Sequence, residues 1–64
     1  MKLYIYTAKD YSVAAIISGE SAAACERKAR ELNYDDDPFE STYAPRFGAI
    51  DGLRENPEAE QIEA

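Results

Sequence analysis

The chain has no histidine, one cysteine and only seven basic residues, set against thirteen acidic ones in 64 positions. Without histidine it lacks the commonest general base and the commonest metal ligand near neutral pH. Cys25, alone in the chain, makes no intramolecular disulfide, which fits a reducing compartment. It also has no imidazole to draw off its proton, so a small buried hydrophobe is the expected role. Long apolar runs are missing too. The stretch 13–17 is far too short to span a bilayer, and after Lys2 tyrosines and charges interrupt anything resembling a signal-peptide core. No catalytic constellation stands out, and a pocket for one is rarely enclosed by so short a chain. These absences lead to the expectation of a soluble, cytoplasmic, non-enzymatic protein with no cofactor and no metal.

What is present is acid, unevenly placed. Residues 1–33 carry five basic and four acidic side chains, whereas residues 34–64 carry two basic and nine acidic ones. Nearly all of the net charge of −6 therefore belongs to the second half. Such a surface repels nucleic acid and anionic lipid and attracts basic partners.

A chain of this length forms one domain, residues 1–64, and buries only about 60% of the surface it exposes when unfolded. Its composition is that of a folding chain, apart from roughly the last ten residues. Lys2, Leu3, Tyr4, Ile5, Tyr6 and Thr7 alternate with a period of two, which predicts a strand with Leu3 and Ile5 on one face and Tyr4 and Tyr6 on the other. That tyrosine face suits solvent-side packing, a lid over the sheet or a contact surface. Residues 8–11 read as a turn. Residues 12–18 favour a second strand and an antiparallel hairpin, with a short helix capped by Asp10 and ending at Gly19 as the alternative.

Ser21 is a good N-cap for a helix over residues 22–33. Ala22, Cys25, Ala29 and Leu32 fall on one stripe of small residues that can lie close against a sheet. Glu26 and Arg30 stand four apart in the favourable order, worth about 0.3–0.5 kcal/mol. Asn33 ends the helix.

Beyond Tyr34 the texture changes. Residues 40–44 suit a short strand stopped by Pro45, residues 46–53 a loop or small hairpin with a turn at Asp51 and Gly52, and Asn56 with Pro57 a further bend. Residues 59–64 are either a short edge strand or a frayed tail. There are no internal repeats. The expected fold is α+β: a small antiparallel sheet, made of the N-terminal hairpin plus one or two short C-terminal strands, with one helix on one face.

Asp35, Asp36 and Asp37 lack the alternate spacing, the glycine and the distal glutamate of a calcium loop. In an extended segment Asp35 and Asp37 would project to one side about 6–7 Å apart, a spacing that imitates backbone phosphate. Glu40, Asp51, Glu55 and Glu58 extend the track if the loops fold beside it. Phe39 and Phe47 are expected in the thin core, while Tyr34 and Tyr43, with a rigid apolar body and a polar tip, suit a contact surface. The bland reading of the same charge run is a solubilising loop.

The short strand–strand–helix opening, followed by the acidic aromatic segment Tyr34-Asp35-Asp36-Asp37-Pro38-Phe39-Glu40, resembles the small acidic proteins with which phages and mobile elements block bacterial defence, the anti-CRISPR and anti-restriction inhibitors. The resemblance is to the class and not to a family motif. It implies a DNA mimic, with Asp35, Asp36, Asp37, Glu40, Asp51, Glu55, Glu58, Tyr34 and Tyr43 engaging the basic surface of a DNA-binding or CRISPR effector complex in a bacterial cytoplasm. Lysine and arginine that read the short motif beside a target would be among the groups engaged. The alternative is a structural or regulatory subunit docking through the tyrosine face or an open sheet edge.

Overall fold

A computed structural model describes residues 1–48 and 52–64. Five elements follow one another: β1 (Lys2–Thr7), β2 (Val13–Ser18), α1 (Ala22–Glu31), β3 (Phe39–Thr42) and β4 (Glu60–Glu63). The strands form a single sheet in the order β3-β1-β2-β4. β1 pairs antiparallel with both β2 and β3, but β4 runs parallel to β2. The α+β arrangement is thus as expected, with the sheet mixed instead of wholly antiparallel. Residues 60–63, expected as edge strand or fraying tail, are the edge strand.

The alternation in β1 works as its pattern predicts. Leu3 and Ile5 are buried under the helix with Ala15, Ile17, Cys25 and Ala29. Tyr4 and Tyr6 lie on the opposite face, half-buried against Val13, Leu53 and Ala59. Val13 would share a face with Ala15 and Ile17 in a regular strand. A register shift between Ile5 and Tyr6 sets Val13 opposite Tyr6. One extra residue in β2 turns the alternation over, and Val13 joins the second cluster.

Helix α1 begins where Ser21, in an extended conformation, accepts a hydrogen bond from Ala24 N through its Oγ at 3.1 Å. It ends at Glu31 with Leu32 as C-cap, two residues short of the expected 22–33, though Asn33 does mark the stop. Asn33 takes the left-handed conformation at φ 63°, its N–H bonds Arg30 O at 3.1 Å, and Tyr34 N–H bonds Ala29 O at 2.8 Å. This pair of reversed bonds satisfies carbonyls the helix leaves open. Tyr34 and Ala29, joined by the second bond, both belong to the helix-side cluster. Lys28 and Arg30 in the last turn complement the negative end of the helix.

Two expectations for the helix fail. Leu32 is 40% exposed because the stripe leaves the sheet at the C-cap, and the ion pair across α1 is Lys28–Glu31 at 3.6 Å in place of Glu26–Arg30. Glu26 instead accepts a hydrogen bond from the Tyr43 hydroxyl at 2.6 Å. No helix among the described residues is long and apolar enough to cross a membrane.

Candidate functional site

The hairpin end of the sheet gathers half of the described acids. The turn between β1 and β2 is closed by Tyr11 N–H to Thr7 O at 2.8 Å. The Asp10 carboxylate accepts from the Thr7 hydroxyl and, at 3.1 Å, from Ser12 N–H. These two donors, aided by nearby Arg54, hold the Asp10 carboxyl below its ordinary range. Tyr11 completes the turn with φ 61°, a conformation that costs a bulky residue roughly 1–3 kcal/mol. Its ring, 47% exposed, stands 5.9 Å from that of Tyr6.

Segment 35–38 is held against this turn. Ala8 N–H donates to Pro38 O at 2.8 Å, and Phe39 N–H closes back on Asp36 O at 3.0 Å. Asp35, Asp36 and Asp37 therefore occupy a turn and not the extended run expected, so the projection of Asp35 and Asp37 to one side does not hold. Asp36 and Asp37 border the hairpin. Asp35 shares a helix-side cleft with Glu26, Arg30, Tyr34 and Tyr43. Glu40, in β3, stands opposite Tyr6. Burial first, then the Glu40 carboxylate, pushes the Tyr6 phenol up from its ordinary value.

On the far side of the hairpin, Arg54 is stitched to it by Arg54 N–H to Tyr11 O at 2.7 Å and Val13 N–H to Arg54 O at 3.1 Å. Asn56 then spends its whole side chain on position. Its Nδ2 donates to Val13 O at 3.1 Å and its Oδ1 accepts from Glu58 N–H at 3.0 Å. Glu55 and Glu58 are thereby brought to the same end of the sheet as Asp10, Asp36, Asp37 and Glu40. Asp51 lies outside the described residues, as does part of the turn expected with Gly52.

Of the four aromatic side chains, Phe39 and Tyr43 lie as expected, and Tyr34 and Phe47 do not. Tyr34 is half-buried, its ring edge-on to Phe39 at 4.9 Å against the helix-side cluster. It is a border of the core more than a free contact residue. Phe39 is in the core region as expected. Phe47 is not, with 46% of it exposed and its ring edge-on to Tyr4 at 6.2 Å. Tyr43 is exposed, and its hydroxyl reaches both Glu26 and, at 3.3 Å, Ala22 O. The Glu26 carboxylate raises the Tyr43 phenol to about 12. Asp10 and Tyr11 were missed as site residues by sequence reasoning. The spacing of Thr7, Asp10 and Ser12 carries a turn signal, but nothing local announces a left-handed tyrosine.

Among the described residues the one ion pair is Lys28–Glu31, so the acids at the hairpin end have no internal cationic partner at contact distance. Lys9 and Arg54 are the bases nearest to them in the chain and the sheet. No group of three metal-ligating side chains is present among the described residues. Cys25 is fully buried, its Sγ 3.6 Å from Ile17 O. No protein-family model, curated protein or solved structure matches the chain.

Proposed function

We propose that this is a non-enzymatic, acidic binding protein that covers the DNA-binding surface of a nucleic-acid-handling complex, acting as a DNA mimic in the manner of anti-CRISPR and anti-restriction inhibitors. The single observation that carries the reading is the gathering of Asp10, Asp36, Asp37, Glu40, Glu55 and Glu58 at one end of the sheet with no described internal ion pair.

Charge density supports it. The sheet is four strands wide, and neighbouring strands lie about 4.8 Å apart, so the hairpin end spans about 14 Å. Six acids there, offset by Lys9 and Arg54, leave about one net charge per 3.5 Å, close to the ~3.4 Å per phosphate of one DNA strand. Lysines and arginines built to hold a strand thus meet a similar density of oxygen anions, carried by β3 and by turns and loops bonded to the end of the sheet. The ordering cost of a flexible acidic tail is avoided.

The test is capture of partners from a bacterial lysate on the immobilised protein. A nucleic-acid-handling complex should bind, and both high salt and excess duplex DNA should release it. A partner retained through high salt and not displaced by DNA would favour the second reading, a regulatory subunit docking through the tyrosine face. The exposed Phe47, edge-on to the half-buried Tyr4, favours that reading.

A further inference from the structure

Behind the hairpin end, on the sheet face away from the helix, lies an open cleft of about 560 Å³ lined by Tyr4, Val13, Ile16, Phe47, Glu55, Asn56 and Pro57. That volume is within the range of small-ligand sites. Its floor is apolar: Val13 is buried and Ile16 half-buried. Its aromatic wall is Tyr4 and Phe47, with ring planes inclined at 75°. Among the described residues, Glu55 is the only charged one lining it. The Asn56 amide is held in place by bonds at both ends, so the groups that can turn to a ligand are the Glu55 carboxylate and the Tyr4 hydroxyl, with the second Asn56 N–H fixed beside them.

We propose that this cleft seats an arginine side chain of the basic partner, and the inference rests on the proposed reading of that partner. A purely apolar occupant would cover Glu55 without pairing it, at a cost for the desolvated carboxylate. A guanidinium satisfies every wall at once. Its alkyl stem covers Val13 and Ile16, its flat face lies on an aromatic ring, and its fork of N–H donors meets the carboxylate. Lysine fits less well, because its ammonium is more strongly hydrated and does not stack. The net charge of −6 draws such a side chain in. The cleft also explains an exposed Phe47: the ring serves as a wall held open for a visitor, and its position follows from Phe47 bridging Leu53 behind it.

The experiment is a heteronuclear NMR titration of the full chain with blocked tripeptides Gly-Arg-Gly, Gly-Lys-Gly, Gly-citrulline-Gly and Gly-Met-Gly. The arginine peptide should shift the Tyr4 and Phe47 ring signals and the Val13 and Ile16 methyl signals saturably. The lysine peptide should bind about threefold or more weakly, and the neutral peptides should leave the cleft unmoved. Phe47→Leu and Glu55→Gln should each weaken arginine binding about three- to fivefold, while unchanged Leu3 and Ile5 signals certify the fold. Equal binding of the methionine or citrulline peptide would overturn a cation seat. Shifts confined to Asp10, Asp36, Asp37 and Glu40 would overturn the cleft while leaving the basic-partner reading standing. An arginine peptide that moves no signal would overturn both.

Discussion

The Tyr43 hydroxyl donates to the Glu26 carboxylate at 2.6 Å, tying the segment after β3 to the outer side of α1 across seventeen residues. This bond takes Glu26 away from the Arg30 partner that helical spacing suggests. It also makes a tyrosine part of the clasp between helix and sheet edge.

The clasp has a pH signature. Hydrogen bonding to Glu26 raises the Tyr43 phenol from an ordinary 10.0 to about 12, so the folded state keeps a proton the unfolded chain loses. The contribution is complete below about pH 10 and drains as the pH rises through about 12. In an ultraviolet absorbance titration Tyr43→Phe should remove the tyrosine that ionises near pH 12, and it should lower the melting temperature at pH 7 but no longer at pH 12.5.

Asp10 behaves in the opposite sense. Thr7 and Ser12 hold its carboxyl below the ordinary 3.8, so its stabilisation is present above about pH 4 and is lost as the pH falls through the depressed value. Asp10→Asn should lower the melting temperature at pH 7 and leave it nearly unchanged at pH 2. An equal loss at both values would mean the turn does not depend on the ionised carboxylate.

The core is thin, so single methylene groups count. Ile5 is fully buried between helix and sheet. Ile5→Val should cost about 0.5–1.5 kcal/mol in urea denaturation, and Ile5→Ala about 2–5 kcal/mol. The larger loss is a substantial part of the stability of so small a domain.

Gly52 is required by close approach. A Cβ there would lie 2.6 Å from the Phe47 carbonyl carbon and closer still to Gly48 N and Arg46 O. Leu53 N–H bonds that same Arg46 carbonyl at 2.6 Å, so the loop has little room to yield. Gly52→Ala should cost about 1–3 kcal/mol and should break the ring contact between Tyr4 and Phe47, read as a change in their NMR shifts.

Elements governed by local chemistry were legible in the sequence: the Leu3 and Ile5 alternation, the Ser21 cap, the stop at Asn33 and the bend at Asn56. Those that depend on distant partners were not. The parallel pairing of β4 needs β2 already in place, Val13 changes face through a bulge, and Tyr34 turns inward because the helix ends where Phe39 can meet it. The acids were legible as a charge run. Their meeting with Asp10 at the hairpin end was not, since it depends on the Ala8–Pro38 and Arg54–Tyr11 backbone bonds.

The central claim is that the hairpin-end carboxylates carry binding to a basic, DNA-handling surface. Its most direct test is the dissociation constant of the captured complex against salt, for the native chain, for Asp36→Asn/Asp37→Asn/Glu40→Gln, and for Glu63→Gln at the opposite end of β4. Native affinity should fall about tenfold or more between 50 and 200 mM salt, the triple variant should bind more weakly with a flatter salt dependence, and Glu63→Gln should match the native chain. Affinity indifferent both to salt and to the triple change would contradict the account.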